Sequence, residues 1–446
     1  MFDLKQYSDR IAVITDSGEQ LTYNQLDNKT KVNVPRGLVF CLAKNTLDSL
    51  VGYITCLQSG LPIVMLDGSK HKEVIDALID VYRPEYIWDG GLKETGLKCG
   101  EINPELSLCL TTSGSTVSPK FVRLSAKNIL ANAVSIAQYL EIDENERPIT
   151  TLPMYYSYGL SVINSHLIKG ATILLTDKTY AQRDFWNFMK EQKATSIAGV
   201  PYTYELLRRL RFFRMDLPDL KVLTQAGGKL NKDIAKEYIE YAATNGKKFY
   251  VMYGQTEATA RMSYLPWESA QEKYASMGIA IPGGKFSLID TDGKEISEPN
   301  VDGELIYSGP NVSLGYAECR DDLMQGDENH GVLHTGDVAR RDEDGFYYIT
   351  GRLKRFVKIW GNRCNLDATE QLVKSITTSC ACVGVDDKIT VFVTQDGLEQ
   401  SIISLLTERT GLNIRAFEVR VIDAIPVKDS GKIDYPVLQQ MLNKEK

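Results

Sequence analysis

The chain has 446 residues, more than one ordinary hydrophobic core serves and enough for two or three domains. Hydrophobic residues make up 43% and charged residues 24%, which excludes a disordered chain; a formal charge of −7 argues against non-specific binding to nucleic acid or to an anionic membrane surface. Eight scattered cysteines without a Cys-x-x-Cys pair argue against disulfides and a zinc site, and four histidines argue against metalloenzyme chemistry.

In chain order, residues 11–14 and 37–42 predict short apolar strands, with a helix opening after Thr22 as its cap. Met1-Phe2-Asp3-Leu4-Lys5 ahead of them lacks a signal core, and no run of about 20 apolar residues follows that would span a bilayer, so a cytoplasmic location is expected. Residues 47–60 and 74–82 are apolar at helical spacing, and residues 61–67 and 85–88 read as turn-and-strand and strand. Helices alternating with apolar strands imply a parallel sheet covered on both faces. The strand at 106–110 runs into a Ser/Thr-rich loop, and loops at the carboxyl ends of strands are where such sheets bind ligands. The pattern continues with helices at 127–140, 185–192 and 202–211, and strands at 171–175, 196–200, 221–226 and 249–253. After Gly278 the glycine-bounded runs 285–290, 303–308 and 345–350 suggest antiparallel hairpins. Gly351-Arg352-Leu353-Lys354-Arg355 is charged, and beyond it lie separate strands (383–385, 390–394) and a helix (401–410), so a domain boundary is expected between 1–351 and 352–446.

The loop is Thr111-Thr112-Ser113-Gly114-Ser115-Thr116-Val117-Ser118-Pro119-Lys120. Its N–H groups, hydroxyls and lysine suit phosphate oxygens, although a Ser/Thr-rich surface turn has the same composition. The spacing is not that of a P-loop, which argues against a P-loop kinase or ATPase. Further on stand Pro153-Met154-Tyr155-Tyr156-Ser157-Tyr158-Gly159-Leu160-Ser161, Thr224-Gln225-Ala226-Gly227-Gly228-Lys229, Tyr253-Gly254-Gln255-Thr256-Glu257 and His334-Thr335-Gly336-Asp337. Arg352, Gly361-Asn362-Arg363 and Ser430-Gly431-Lys432 complete the series. Each has a bland counterpart: a strand end rich in core aromatics around Tyr156, a glycine turn at Gly227, a carboxylate at a helix N-terminus for Glu257, a structural His334, an exposed lysine in a turn for Lys432.

Taken in this order, the segments resemble the signatures of the adenylate-forming superfamily: acyl- and aryl-CoA ligases, non-ribosomal peptide adenylation domains and beetle luciferases. The resemblance runs from about Leu21 to Leu438, with Val117 standing where the family usually has a second glycine. It implies an α/β fold: a large N-terminal domain of parallel sheets flanked by helices with a small β-subdomain, and a mobile α+β C-terminal domain hinged near Lys354. It implies Thr112, Ser113, Gly114, Ser115, Thr116 and Lys120 at the phosphates, and Ala226, Gly227, Gly228, Tyr253, Gly254 and Gln255 along adenine. Thr256 would touch the α-phosphate, Glu257 would hold Mg²⁺, Asp337 the ribose and Arg352 phosphate. Tyr156, Tyr158, Gly159, Ser161 and Val200 would wall the acyl group, Gly361 and Arg363 would lie on the thiol route, and Lys432 would bridge carboxylate and phosphate.

The activity so implied is ATP- and Mg²⁺-dependent activation of a small carboxylic acid as acyl-AMP, then transfer to the thiol of coenzyme A or of a carrier protein's phosphopantetheine. The basic run Arg208, Arg209, Arg211 and Arg214 would suit an acidic carrier, or is a solvated helix face. Gly159 stands where amino-acid-activating relatives place an aspartate for the α-ammonium group. An acid without an α-amino group is therefore expected, with the glycine leaving space for it. An amino-acid-activating ligase and a non-catalytic binding protein of the same fold are the alternatives.

Overall fold

The computed structural model describes residues 2–97, 100–111, 120–353, 355–360, 362–385, 387–428 and 433–443. The chain forms two compact units, one of residues 1–286 with 307–333, the other of 287–306 with 334–446.

The first unit holds two larger sheets. In the seven-stranded one, Val39–Ala43 is flanked by Ile63–Asp67 and Tyr86–Trp88, both parallel to it, and Leu106–Thr111 continues the parallel run beside Ile63–Asp67. Phe121–Ser125 then folds back antiparallel, with Thr111 opposite Phe121, and Gly315–Ala317 adds antiparallel to its far side. The sheet is thus parallel at its centre and antiparallel at this edge. The second sheet runs Ser196–Gly199, Val222–Gln225, Lys248–Tyr253 in parallel, then Ser263–Tyr264 and Ile279–Ala280 antiparallel. A three-stranded sheet of Gln20–Thr22, Ile11–Thr15 and Ile173–Leu175 completes the unit's strands named here.

Local chemistry sets the helix starts. Thr22 caps Tyr23–Lys29 in a reciprocal box with Gln25, and Ser125 caps Ala126–Tyr139 in the same way with Asn128. The second box matters for function, because it fixes the chain immediately after Phe121–Ser125. Residues 153–160 do not form a strand end: Tyr156 opens the helix Ser157–Leu167. That helix is buried at all but one of its positions, so it carries no polar face by which periodicity would reveal it.

In the second unit, Val332–Arg341 and Tyr347–Arg352 pair antiparallel within a four-stranded sheet. Cys380–Val385, Lys388–Val393 and Phe417–Val421 form a sheet whose buried face, with Ile402, Leu406 and Val373, makes a separate apolar core. The hinge expected at Lys354 lies outside the described residues.

Candidate active site

Three strands of one parallel sheet end side by side, with Gly199 opposite Gln225 and Gln225 opposite Val251. Their carboxyl ends carry Val200, the turn Ala226-Gly227-Gly228, and Tyr253-Gly254-Gln255-Thr256-Glu257. Gly227 takes φ +84°, and a Cβ there would lie 2.6 Å from the Tyr156 hydroxyl and 3.2 Å from Val200. Glycine is therefore what lets Tyr156 and Val200 close on this turn, and Gln225 donates to the Gly228 carbonyl at 2.9 Å to hold it. Burial raises the Tyr156 phenol to about 12, so it stays a neutral hydroxyl.

Tyr158 is buried, its hydroxyl 2.8 Å from the Thr224 carbonyl oxygen and 2.8 Å from its hydroxyl. Ser161 donates to the Tyr158 carbonyl at 2.6 Å, an intrahelical bond. Gly159 corrects the expectation of space: a Cβ there would lie 2.2 Å from the Pro153 carbonyl oxygen. The position is pressed against backbone, so its missing side chain opens no space on that side.

The Tyr253 turn is sharply folded. Tyr253 pairs with Ser263, so residues 254–262 leave and rejoin the sheet, passing through left-handed Thr259 (φ 57°) and Ala260 (φ 99°). Gln255 donates to the Tyr253 hydroxyl at 3.2 Å, and the Thr256 hydroxyl stands 3.1 Å from that of Ser157. Glu257 lies in the short 3₁₀ turn Thr256–Ala258, and its carboxylate accepts from the Tyr316 hydroxyl at 2.9 Å. The same tyrosine ring carries Lys120, whose ammonium lies 3.7 Å from the ring centre and 3.3 Å from the Glu318 carboxylate. Burial and the Glu257 charge push the Tyr316 phenol upward, so the proton stays on the tyrosine. Lys120 and Glu257, expected separately from sequence, are thus joined through one residue that sequence reading missed.

Arg261 was missed as well. It is fully buried, its guanidinium 4.3 Å from the centre of the Tyr158 ring and 3.1 Å from the Tyr139 hydroxyl. Its Nε has no hydrogen-bond partner among the described residues.

In the second unit, Asp337 is buried and faces Arg352 across the hairpin, Nε to Oδ1 3.1 Å, with Arg352 itself largely exposed. Thr335 accepts from the Asp337 N–H at 3.1 Å. His334 stands 3.4 Å from Glu304. Thr112, Ser113, Gly114, Ser115, Thr116, Lys354, Gly361 and Lys432 lie outside the described residues, as does the Arg363 side chain. Of the basic run, Arg208 pairs with Glu237 at 2.8 Å on an exposed helix face.

The fold defines the class first. The structure matches o-succinylbenzoate coenzyme A synthetase from Bacillus subtilis, in complex with ATP and magnesium ion, with a TM-score of 0.81 over 98% of both chains at 21% identity. It matches ATP-bound MatB from Rhodopseudomonas palustris with a TM-score of 0.80 over 98% of this chain and 97% of that one, at 20% identity. At such identity the likeness is one of fold, the fold of adenylate-forming enzymes. In sequence, residues 102–317 match the AMP-binding enzyme family. The chain is 23% identical to luciferin 4-monooxygenase of Nipponoluciola cruciata over 97% of itself and 80% of that protein. It is 27% identical to feruloyl-CoA synthase of Amycolatopsis over 74% of itself and 68% of that protein. The match over residues 102–317 agrees with the expected resemblance to the adenylate-forming enzymes.

Proposed function

We propose that this chain is an acid–thiol ligase that activates a carboxylic acid lacking an α-amino group and passes it to a phosphopantetheine thiol. The observation that carries the reading is the joining of Lys120 and Glu257 on Tyr316, a cation and a hard oxygen donor at one edge of the first unit. In the first half-reaction a carboxylate oxygen attacks the α-phosphorus of ATP, the bond to pyrophosphate breaks, and acyl-AMP forms. In the second a thiol sulfur attacks the acyl carbon, the bond to AMP breaks, and the thiol proton leaves to solvent.

Such chemistry needs charge neutralised and reactants aligned more than it needs a general base. Lys120 supplies positive charge to the leaving phosphates. Glu257 would hold Mg²⁺, which when bound offsets phosphate charge; a carboxylate is acceptor-only and keeps lone pairs beyond the one taken by Tyr316. Among the described residues no group of three His, Cys, Asp or Glu side chains forms a metal cage. An ion at Glu257 would accordingly take its other ligands from phosphate and water. Asp337 would accept from the ribose hydroxyls, and Arg352, exposed and charged, would meet phosphate. Tyr156, Val200 and Gly227 would border the acid.

Glycine stands at 159, where amino-acid-activating relatives place an aspartate, and the reading of an acid without an α-ammonium group rests on that residue type alone. The names of relatives such as feruloyl-CoA synthase and oxalate–CoA ligase support coenzyme A as the first thiol to test, with a carrier protein second. ATP–pyrophosphate exchange over α-amino acids and their deamino analogues tests the reading. Exchange with the deamino acid alone is expected; preference for the amino acid would refute the substrate class, and exchange with no acid would refute the ligase. Lys432→Ala should cut exchange by about 100-fold or more while sparing thioester formation from supplied acyl-AMP. Equal loss in both half-reactions would show that Lys432 serves neither one selectively.

A further inference from the structure

The geometry points to Tyr316 and Glu318 as a built-in placeholder that holds Lys120 and Glu257 ready for Mg·ATP and is partly displaced by it. The inference rests on the reading of Lys120 and Glu257 given above. Its ground is the strand Gly315–Ala317, which pairs antiparallel with Phe121–Ser125, Tyr316 opposite Val122 and Ala317 opposite Phe121. One step further along that register, Glu318 comes opposite Lys120. Tyr316 and Glu318 are two residues apart and present their side chains to the same side, so one cation meets both.

Four further bonds fix this arrangement. Arg123, fully buried, donates from Nε to the Tyr316 carbonyl at 2.8 Å and from Nη2 to the Leu314 carbonyl at 3.1 Å. Asp322 accepts from the N–H groups of Glu318 at 2.7 Å and Cys319 at 3.1 Å, and these bonds, that of Glu318 first, hold its carboxyl below the usual range. Tyr316 is therefore a seated side chain. Its hydroxyl spends its one proton on Glu257, which orients that carboxylate, and its ring face attracts the Lys120 ammonium.

The two partners of Lys120 differ in kind. The ring attracts a cation without carrying net charge and leaves the ammonium's donors available. Glu318 is a carboxylate, 65% exposed, and competes directly with phosphate oxygens for the same ammonium. Tyr316 is then a positioning residue for both Lys120 and Glu257, whereas Glu318 is a counter-ion that incoming phosphates replace.

Calorimetric titration of the full chain with ATP and with Mg²⁺, in the absence of acid, tests this without knowledge of the substrate. Tyr316→Phe keeps the ring and loses the hydroxyl, and should raise the Mg²⁺ concentration at half-saturation by about threefold to tenfold, as one hydrogen bond to a charged group is lost. ATP affinity at saturating Mg²⁺ should stay within about twofold, because the cation keeps its ring. Tyr316→Leu should weaken both. Glu318→Gln should tighten ATP binding by about twofold to fivefold at low salt, the range of an exposed ion pair, and the gain should vanish in concentrated salt. Phe and Leu variants that behave alike, or a Glu318→Gln variant that binds ATP no better, would overturn the inference. Glu257→Gln separates the levels: an unchanged Mg²⁺ response there refutes the metal role of Glu257 and the hydroxyl's role with it. The Glu318→Gln titration still decides the Lys120 half.

Discussion

Two places in the molecule are built from the same three groups, a cation on a tyrosine ring whose hydroxyl donates to a glutamate. In the first unit they are Lys120, Tyr316 and Glu257; in the second they are Arg355, Tyr435 and Glu370. The difference lies in what else each glutamate touches. Glu370 is buried and accepts from Tyr435 at 3.0 Å, from the Cys382 N–H at 3.0 Å and from Lys374 at 3.0 Å, with Arg355 3.4 Å away. Arg355 also pairs with Asp367 at 2.5 Å. Every lone pair is engaged, and the cluster staples the helix Tyr435–Asn443 to Leu366–Val373 and Cys380–Val385. Glu257 is half-buried and, among the described residues, accepts one such bond, from Tyr316. A satisfied, buried glutamate holds a fold together; a half-exposed one with spare lone pairs is available to a ligand.

The largest test of that contrast removes the buried carboxylate. Glu370→Ala leaves Arg355 and Lys374 without their central partner and should cost about 3–5 kcal/mol in chemical denaturation. Glu257→Ala should stay within about 0.5 kcal/mol of the parent, as a surface change away from packing does. Similar losses in the two variants would break the comparison. The next test reverses the readout. Glu257→Gln should lower ATP–pyrophosphate exchange by about 100-fold, roughly 2.7 kcal/mol of transition-state stabilisation, while Glu370→Gln should act on stability first. Smaller still, Tyr435→Phe should cost about 1–2 kcal/mol by stranding buried acceptors, against less than about 0.5 kcal/mol for Tyr316→Phe.

The parts of this picture that the sequence made legible were local. Thr22 and Gln25, or Tyr253-Gly254-Gln255-Thr256-Glu257, are readable because a cap or a turn is decided within a few residues. Lys120 and Glu257 are each singled out from such a local segment. Their link was not, because Tyr316 reaches Lys120 only through pairing of strands far apart in the chain; Arg123 and Tyr316 are 193 residues apart. The helix Ser157–Leu167 was lost for another reason, burial on nearly every side, which erases the apolar stripe. At Gly159 the residue type was read correctly but its direction was not, since only the fold shows that its missing Cβ faces the Pro153 carbonyl. Arg261 gave no signal, because a buried arginine in a turn has no sequence pattern of its own.

The smallest expected effect bears on the cations. Lys120 and Glu318 are 37% and 65% exposed, so water and salt both reach the pair. A double-mutant cycle with Lys120→Met and Glu318→Gln should give a coupling of at most about 0.5 kcal/mol at low ionic strength. In concentrated salt, about 1 M, where the screening length is about 3 Å, it should fall to nothing measurable. Arg355 and Glu370 are 11% and 4% exposed, so few ions reach between them, and the coupling from Arg355→Met with Glu370→Gln should survive the same salt. The sign is the same in both cycles, and only the response to salt separates them. A salt-proof coupling at Lys120 would mean that Glu318 holds this cation as firmly as Glu370 holds Arg355, and that phosphates would not displace it. A salt-labile coupling at Arg355 would mean that the buried cluster is open to solvent and is no staple.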